Sequence, residues 1–102
     1  MSNYKQLADF GPETDANEDT QKIADTVKVS LEEKTGRKFA EFKAMSFRSQ
    51  PVSGMNYIIK ICVGRSTYDY IWVRVYNNLD GEVSLTSYRL DKKKDDPIEV
   101  FE

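Results

Sequence analysis

Gln50-Pro51-Val52-Ser53-Gly54 is a turn signal with a strand-like segment on each side. Phe39-Ala40-Glu41-Phe42-Lys43-Ala44-Met45-Ser46-Phe47-Arg48-Ser49 leads into it, and Met55-Asn56-Tyr57-Ile58-Ile59-Lys60-Ile61-Cys62-Val63 leads out. Proline stiffens such a turn and glycine permits a tight backbone path, so a hairpin tip is expected between the two runs. In the outgoing run Tyr57, Ile59, Ile61 and Val63 share one face, while Asn56, Ile58, Lys60 and Cys62 share the other, and Gly64 ends it. The incoming run changes phase, because Phe39 and Phe42 cannot face one side without an irregularity, whereas Met45 and Phe47 set a different register; a bulge is the expected remedy.

Further along, Ile71, Val73 and Val75 repeat the buried alternation, with Tyr70, Trp72, Arg74 and Tyr76 opposite. Asn77-Asn78-Leu79-Asp80-Gly81 gives a second turn before Val83, Leu85 and Ser87, with Asp80-Gly81 as its hairpin cue. Pro97 and the apolar ending Ile98, Val100 and Phe101 suggest a C-terminus that returns to the sheet edge. Upstream, Ile23, Ala24, Val27 and Leu31 recur at helical spacing with Lys22, Asp25, Lys28, Glu32 and Glu33 on the other side. The helix is expected over about 20–35, capped by Asp19 or Thr20 and closed by Gly36. Residues 1–18 lack either period and read as a flexible tail or an edge strand. The fold class is therefore α+β, a single domain over 1–102 in which one amphipathic helix packs across one face of a curved antiparallel sheet of four to five strands, leaving a half-covered sheet. Its expected core is Ile23, Val27, Leu31, Tyr57, Ile59, Ile61, Ile71, Val73 and Val75.

Composition removes most kinds of chemistry. The chain has 102 residues, no histidine and one cysteine, so no Cys-His or Ser-His pair exists and no internal disulfide forms. Charged residues make up 31% yet nearly cancel to a net charge of −2, which leaves no footprint for nucleic acid or an anionic membrane. The start lacks an apolar signal region, no run is long enough to span a bilayer, and there is no Asn-x-Ser/Thr acceptor; a cytoplasmic location is expected. Glu32 and Glu33 diverge by about 100° on a helix and read as a solvated face rather than a carboxylate pair. Asp15-Ala16-Asn17-Glu18-Asp19 imitates the opening of a calcium loop, but Thr20 replaces the required glycine and Thr26 the bidentate glutamate, so no metal is expected. Lys92-Lys93-Lys94 is cancelled by Asp95-Asp96, and Trp72 and the tyrosines follow strand period without basic neighbours, which favours sheet packing over base stacking. No cofactor is called for.

What remains is two hairpin tips and a tail. Gln50 to Gly54 offers a rigid tip that costs little entropy to dock, and Leu79 exposes a second apolar side chain at the other tip. Here the residues match a family. Gln50-Pro51-Val52-Ser53-Gly54 resembles the Q-x-V-x-G first hairpin of the cystatins, and the helix from Gln21 to Lys34, the entry Phe39 to Ser49, the exit Asn56 to Lys60 and the ending Asp95 to Phe101 resemble the stefin branch, as do the missing disulfides and signal peptide.

The resemblance implies a reversible, tight-binding inhibitor of papain-like cysteine proteases, the class of cathepsins L, B, H and S, and no enzymatic activity of its own. In that family a wedge fills the protease cleft on both sides of the catalytic cysteine. Carried over, Gln50, Pro51, Val52, Ser53 and Gly54 form the first hairpin contact, Leu79 and Asp80 the second, and Gly11 is where the tail passes the protease cysteine, with Ala8, Asp9 and Phe10 in the unprimed subsites. Pro51 departs by removing an amide from the tip, and Asp80 stands where many stefins have proline. On the same grounds Gly54→Glu is expected to weaken inhibition and spare the fold. Two other functions remain open at this point: a non-inhibitory binding module on the same scaffold, and a self-associating protein that exchanges hairpins about Gln50 to Gly54 into a domain-swapped dimer in place of the expected monomer.

Overall fold

The computed structural model describes residues 9–102. A short strand β1 (Thr14–Asp15) precedes helix α1 (Glu18–Thr35), and four strands follow: β2 (Lys43–Val52), β3 (Gly54–Cys62), β4 (Tyr70–Asn77) and β5 (Val83–Lys92). The strands form one antiparallel sheet in the order β1-β2-β3-β4-β5, so each strand pairs with its neighbour in the chain. Part of the expected tail is thus an edge strand, with Thr14 opposite Phe47 and Asp15 opposite Ser46.

The helix begins two residues earlier than the apolar period implies, and its cap is Asn17 rather than Asp19 or Thr20. Asn17 accepts the Thr20 amide at 3.0 Å, and the Thr20 hydroxyl accepts the Asn17 amide at 2.8 Å. This reciprocal pair satisfies amides that the first turn leaves open. It also explains the calcium-like string in structural terms: Asp15 lies in β1 and the Asn17 carboxamide is committed to the cap. Gly36, at φ 73°, closes the helix by donating its amide to the Glu32 carbonyl.

Ile23, Ala24, Val27 and Leu31 face the sheet and are buried against Ala44, Ile59, Ile61, Ile71, Val73 and Val75. Eight of the nine expected core residues are buried, and Tyr57 packs at the margin. The phase change before Gln50 is resolved by a register shift between Ala44 and Ser46, so Ala44 and Phe47 both pack on the helix side. Gln21 holds the helix to this irregular entry, accepting the Ala44 amide at 2.8 Å and donating to the Phe42 carbonyl at 3.0 Å. Glu32 does more than solvate the helix: its carboxylate accepts the Phe39 amide at 2.8 Å.

The sheet is covered on both sides, which corrects the half-covered expectation. Ile58, Trp72 and Ile98 form a second buried cluster on the outer face, with Phe10 and Phe101 packed against it. The C-terminal segment does not return to an edge. It crosses the outer face, where Arg48 donates to the Ile98 carbonyl at 2.9 Å and Phe101 stacks on Trp72 with ring centroids 6.2 Å apart. Alternation along β3 and β4 assigns Ile58 and Trp72 to that face correctly, but only a segment distant in sequence makes the face dry. Lys60, at 6% exposure, is tolerated there because Glu13 pairs with it at 3.2 Å and the Lys94 carbonyl accepts from it at 2.9 Å. Among the described residues, no helix is long and apolar enough to cross a membrane.

Candidate functional site

Consecutive antiparallel hairpins place the β2–β3 and β4–β5 turns at one end of the sheet, since Met55 pairs with Asn77 at the base of both. The first turn is as tight as a hairpin permits, with Val52 opposite Gly54 and Ser53 alone between the strands. Gly54 has φ 104°, a conformation that L side chains rarely adopt. A Cβ at this position would lie 2.4 Å from the Asn77 carbonyl oxygen, so glycine is required by the neighbouring hairpin as well as by its own backbone. The expectation that Gly54→Glu spares the fold is therefore corrected: any side chain here forces the two tips apart. The tips are also bonded, because the Tyr76 hydroxyl donates to the Ser53 carbonyl.

At the second turn Asn78 organises the loop. Its side-chain oxygen accepts the Asp80 and Glu82 amides, each at 2.9 Å, and its backbone amide donates to the Glu82 carbonyl at 2.9 Å. Gly81 takes φ 84° with open space around it. This Asx-type scaffold leaves Leu79 projecting, 81% exposed, with Asp80 exposed beside it.

Gly11 joins the same end. Its amide donates to the Ser49 carbonyl at 2.8 Å, and its own carbonyl accepts from Arg48 Nε at 2.7 Å. The backbone groups of Met45 and Ser49 both point toward the N-terminal segment, since Ala16 and Gly11 donate to their carbonyls. Two residues beyond Ser49, Pro51 points the same way, so its missing amide costs no bond of the β2–β3 ladder. Gln50 is held by the Asn56 carboxamide, which donates to it at 2.7 Å, and Val52 is 43% exposed. Asp9 is exposed, whereas the Phe10 ring lies on the protein's own outer face with the Arg74 guanidinium 5.2 Å from its centroid. Ala8 lies outside the described residues.

The structure thus brings Gly11, Gln50 to Gly54 and Leu79-Asp80 to one end, and turns the Phe10 side chain away from it. Tyr76, Asn78 and Arg48 are parts of this site that the sequence did not single out. Asn78 carried a signal, as Asn-Asn before Leu-Asp-Gly suits an Asx turn. Tyr76 and Arg48 reach across strands and carried none. Among the described residues, the side chains exposed at this end include apolar Val52 and Leu79 together with polar Ser53, Asp9 and Asp80.

One helix laid across five antiparallel strands, with two hairpin tips and a chain end gathered at one end, is the architecture of the cystatins. A cystatin-domain family model matches residues 11–95. The chain is 45% identical over 98 residues to Stefin-C of Bos taurus, spanning 93% of this chain and 95% of that protein. It is 45% identical over 89 residues to Cystatin-B of Bos taurus and 44% identical over 89 to Cystatin-B of Homo sapiens, in each case spanning 84% of this chain and 89% of the relative. The chain belongs to the cystatin family, on its stefin branch. It is accordingly an inhibitor of cysteine proteases and not an enzyme.

Proposed function

We propose that this inhibitor acts reversibly on papain-like cysteine proteases, the class of cathepsins L, B, H and S, by inserting the end of the sheet into the active-site cleft. The observation that carries this is the bonding of three separate segments into one edge: Gly11 to Ser49, Ser53 to Tyr76, and Gly54 seated on Asn77. Such an edge loses little conformational freedom on docking. Gln50, Pro51, Val52, Ser53 and Gly54 form the central contact, Leu79 and Asp80 flank it on one side, and Gly11 with the chain through Phe10 and Asp9 flanks it on the other. No scissile bond is presented in attack geometry, and the inhibitor contributes no chemistry.

The working unit is the whole chain as a monomer in the cytoplasm. Hairpin exchange is its route to a dimer, because opening the short turn at Ser53 lets β2 and β3 run on as one strand. That dimer has lost the first tip and does not inhibit. Inhibition constants against papain and cathepsins L, B, H and S test the proposal, together with size-exclusion chromatography. Tight inhibition by the monomer fraction is expected. No inhibition of any of these enzymes at micromolar inhibitor refutes it.

A further inference from the structure

We infer that Arg48 is a positioning residue that clamps the N-terminal arm to the inhibitory edge, with the C-terminal segment as its counter-anchor. The inference rests on the proposed wedge and adds to it a residue that does not itself reach the protease. Arg48 lies on β2, on the face away from the helix, and is half-buried. Its guanidinium donates to three carbonyls from the two ends of the chain: Gly11 at 2.7 Å, Phe10 at 3.4 Å and Ile98 at 2.9 Å. Five fixed donors in a planar fork suit arginine to this; a lysine ammonium is a compact point charge that cannot span three acceptors in one plane.

The surrounding contacts all tie the same two segments together. Arg74 places its guanidinium over the Phe10 ring at 5.2 Å and donates to the Phe101 carbonyl at 2.5 Å. Glu13, just beyond the arm, accepts the Ile98 amide at 3.0 Å and the Ser46 hydroxyl at 2.5 Å. Phe10, Phe101 and Ile98 meet on Ile58 and Trp72. The arm is therefore held between β2 and a C-terminal segment that is itself held by two arginines and a glutamate. Phe10 anchors the arm to the body, and Gly11 leaves that anchor at a fixed place beside Ser49. Without the clamp, Gly11 keeps one backbone bond to Ser49, and the arm must be ordered when the protease binds.

Two variants test this: Arg48→Met and Arg48→Lys. Each is made in the full chain and in a chain lacking residues 1–11, which removes both arm acceptors of Arg48. The readouts are exchange of the Gly11 amide by NMR in the full chain, the inhibition constant for papain, and the thermal transition. In the full chain, Arg48→Met speeds Gly11 exchange and raises the inhibition constant roughly tenfold, the scale expected for losing a preorganised segment. Arg48→Lys recovers part of both. In the chain lacking residues 1–11 the same changes leave the inhibition constant within about twofold, since distant effects add and shared ones do not. Equal loss of inhibition in both backgrounds overturns the clamp in favour of a general loss of structure, and so does unchanged Gly11 exchange in Arg48→Met. If the wild-type chain fails to inhibit papain-like enzymes, the proposed function falls, while Gly11 exchange still decides whether Arg48 fixes the arm.

Discussion

Gly54→Ala tests the geometry of the first tip at its most constrained point. The added Cβ would sit 2.4 Å from the Asn77 carbonyl oxygen, 3.1 Å from the Asn78 Cα and 3.2 Å from the Tyr76 hydroxyl. Comfortable contact needs about 3.5 Å, so the hairpins must separate by about 1 Å. At φ 104° a non-glycine residue is strained by about 1–3 kcal/mol before any clash is counted. Separation also forfeits the Tyr76–Ser53 bond, worth about 1 kcal/mol. A loss of about 2–4 kcal/mol corresponds to a Tm lower by at least about 10 °C in a domain of this size. Gly81→Ala is the internal control, because φ is 84° there but nothing lies within 4 Å. It carries the dihedral strain alone, about 1–2 kcal/mol. Circular dichroism melts of the two variants therefore separate clash from strain, and inhibition of papain should fall about tenfold to hundredfold for Gly54→Ala if the tip makes the central contact. Equal loss of stability in the two variants, or a Gly54→Ala melt within about 2 °C of wild type, would refute the reasoning.

Other outcomes follow from the same contacts. Asn17→Ala removes the helix cap and should cost about 1 kcal/mol in urea denaturation, with no change on adding calcium or a chelator. Tyr76→Phe breaks the link between tips and should cost about 1 kcal/mol, with a several-fold weaker inhibition constant. Leu31→Ala opens a cavity at a fully buried position and should cost about 2–5 kcal/mol by the same denaturation assay. For Glu13, burial pushes the carboxyl upward, but the Ile98 amide, the Ser46 hydroxyl and the Lys60 ammonium together outweigh it and hold the group below its ordinary value of 4.5. A carboxyl lowered on folding stabilises above its unfolded pKa, and that stability is lost as pH falls through the folded one. Glu13→Gln should therefore lower stability at neutral pH and flatten the part of the acid decline that begins near pH 4.5, as read from melts across pH 7 to 3.

The helix, β3 and β4 were legible because each carries a single clean period, and β2 and β5 because turn signals bound them. Ile23, Val27 and Leu31 can share a face only as a helix, and Ile59, Ile61, Ile71, Val73 and Val75 only as strands. The errors fell where a second partner decides. Asn17 became the cap because Thr20 was free to reciprocate, and apolar spacing cannot locate a cap outside the apolar run. Ile58, Lys60 and Trp72 were placed on the correct face and given the wrong environment, since Ile98 and Phe101 cover the apolar pair and Glu13 and the Lys94 carbonyl meet Lys60, from segments that show no period of their own. The bulge near Met45 was legible from the phase of Phe39, Phe42 and Phe47, whereas the irregularities between β4 and β5 at Tyr70/Trp72 and Arg74/Val75 left no such trace.

The site divides along the same line. Its exposed members, Val52 and Leu79 among them, announce themselves because a turn has no structural need for an apolar side chain. Its supports do not. Arg48, Tyr76 and Asn77 are ordinary strand residues until two hairpins and the N-terminal segment converge, and their roles depend on contacts with Gly11, Ser53 and Gly54 that lie far away in sequence. This explains why a short motif such as Gln50 to Gly54 is weak evidence by itself. The pentapeptide specifies a tight turn, but the turn becomes a rigid tip only when Asn77 lies beneath its glycine and Tyr76 reaches its serine. Variation in the supports can therefore change how the edge is held without altering a residue of the motif, and Arg48 is where this chain is open to such a change.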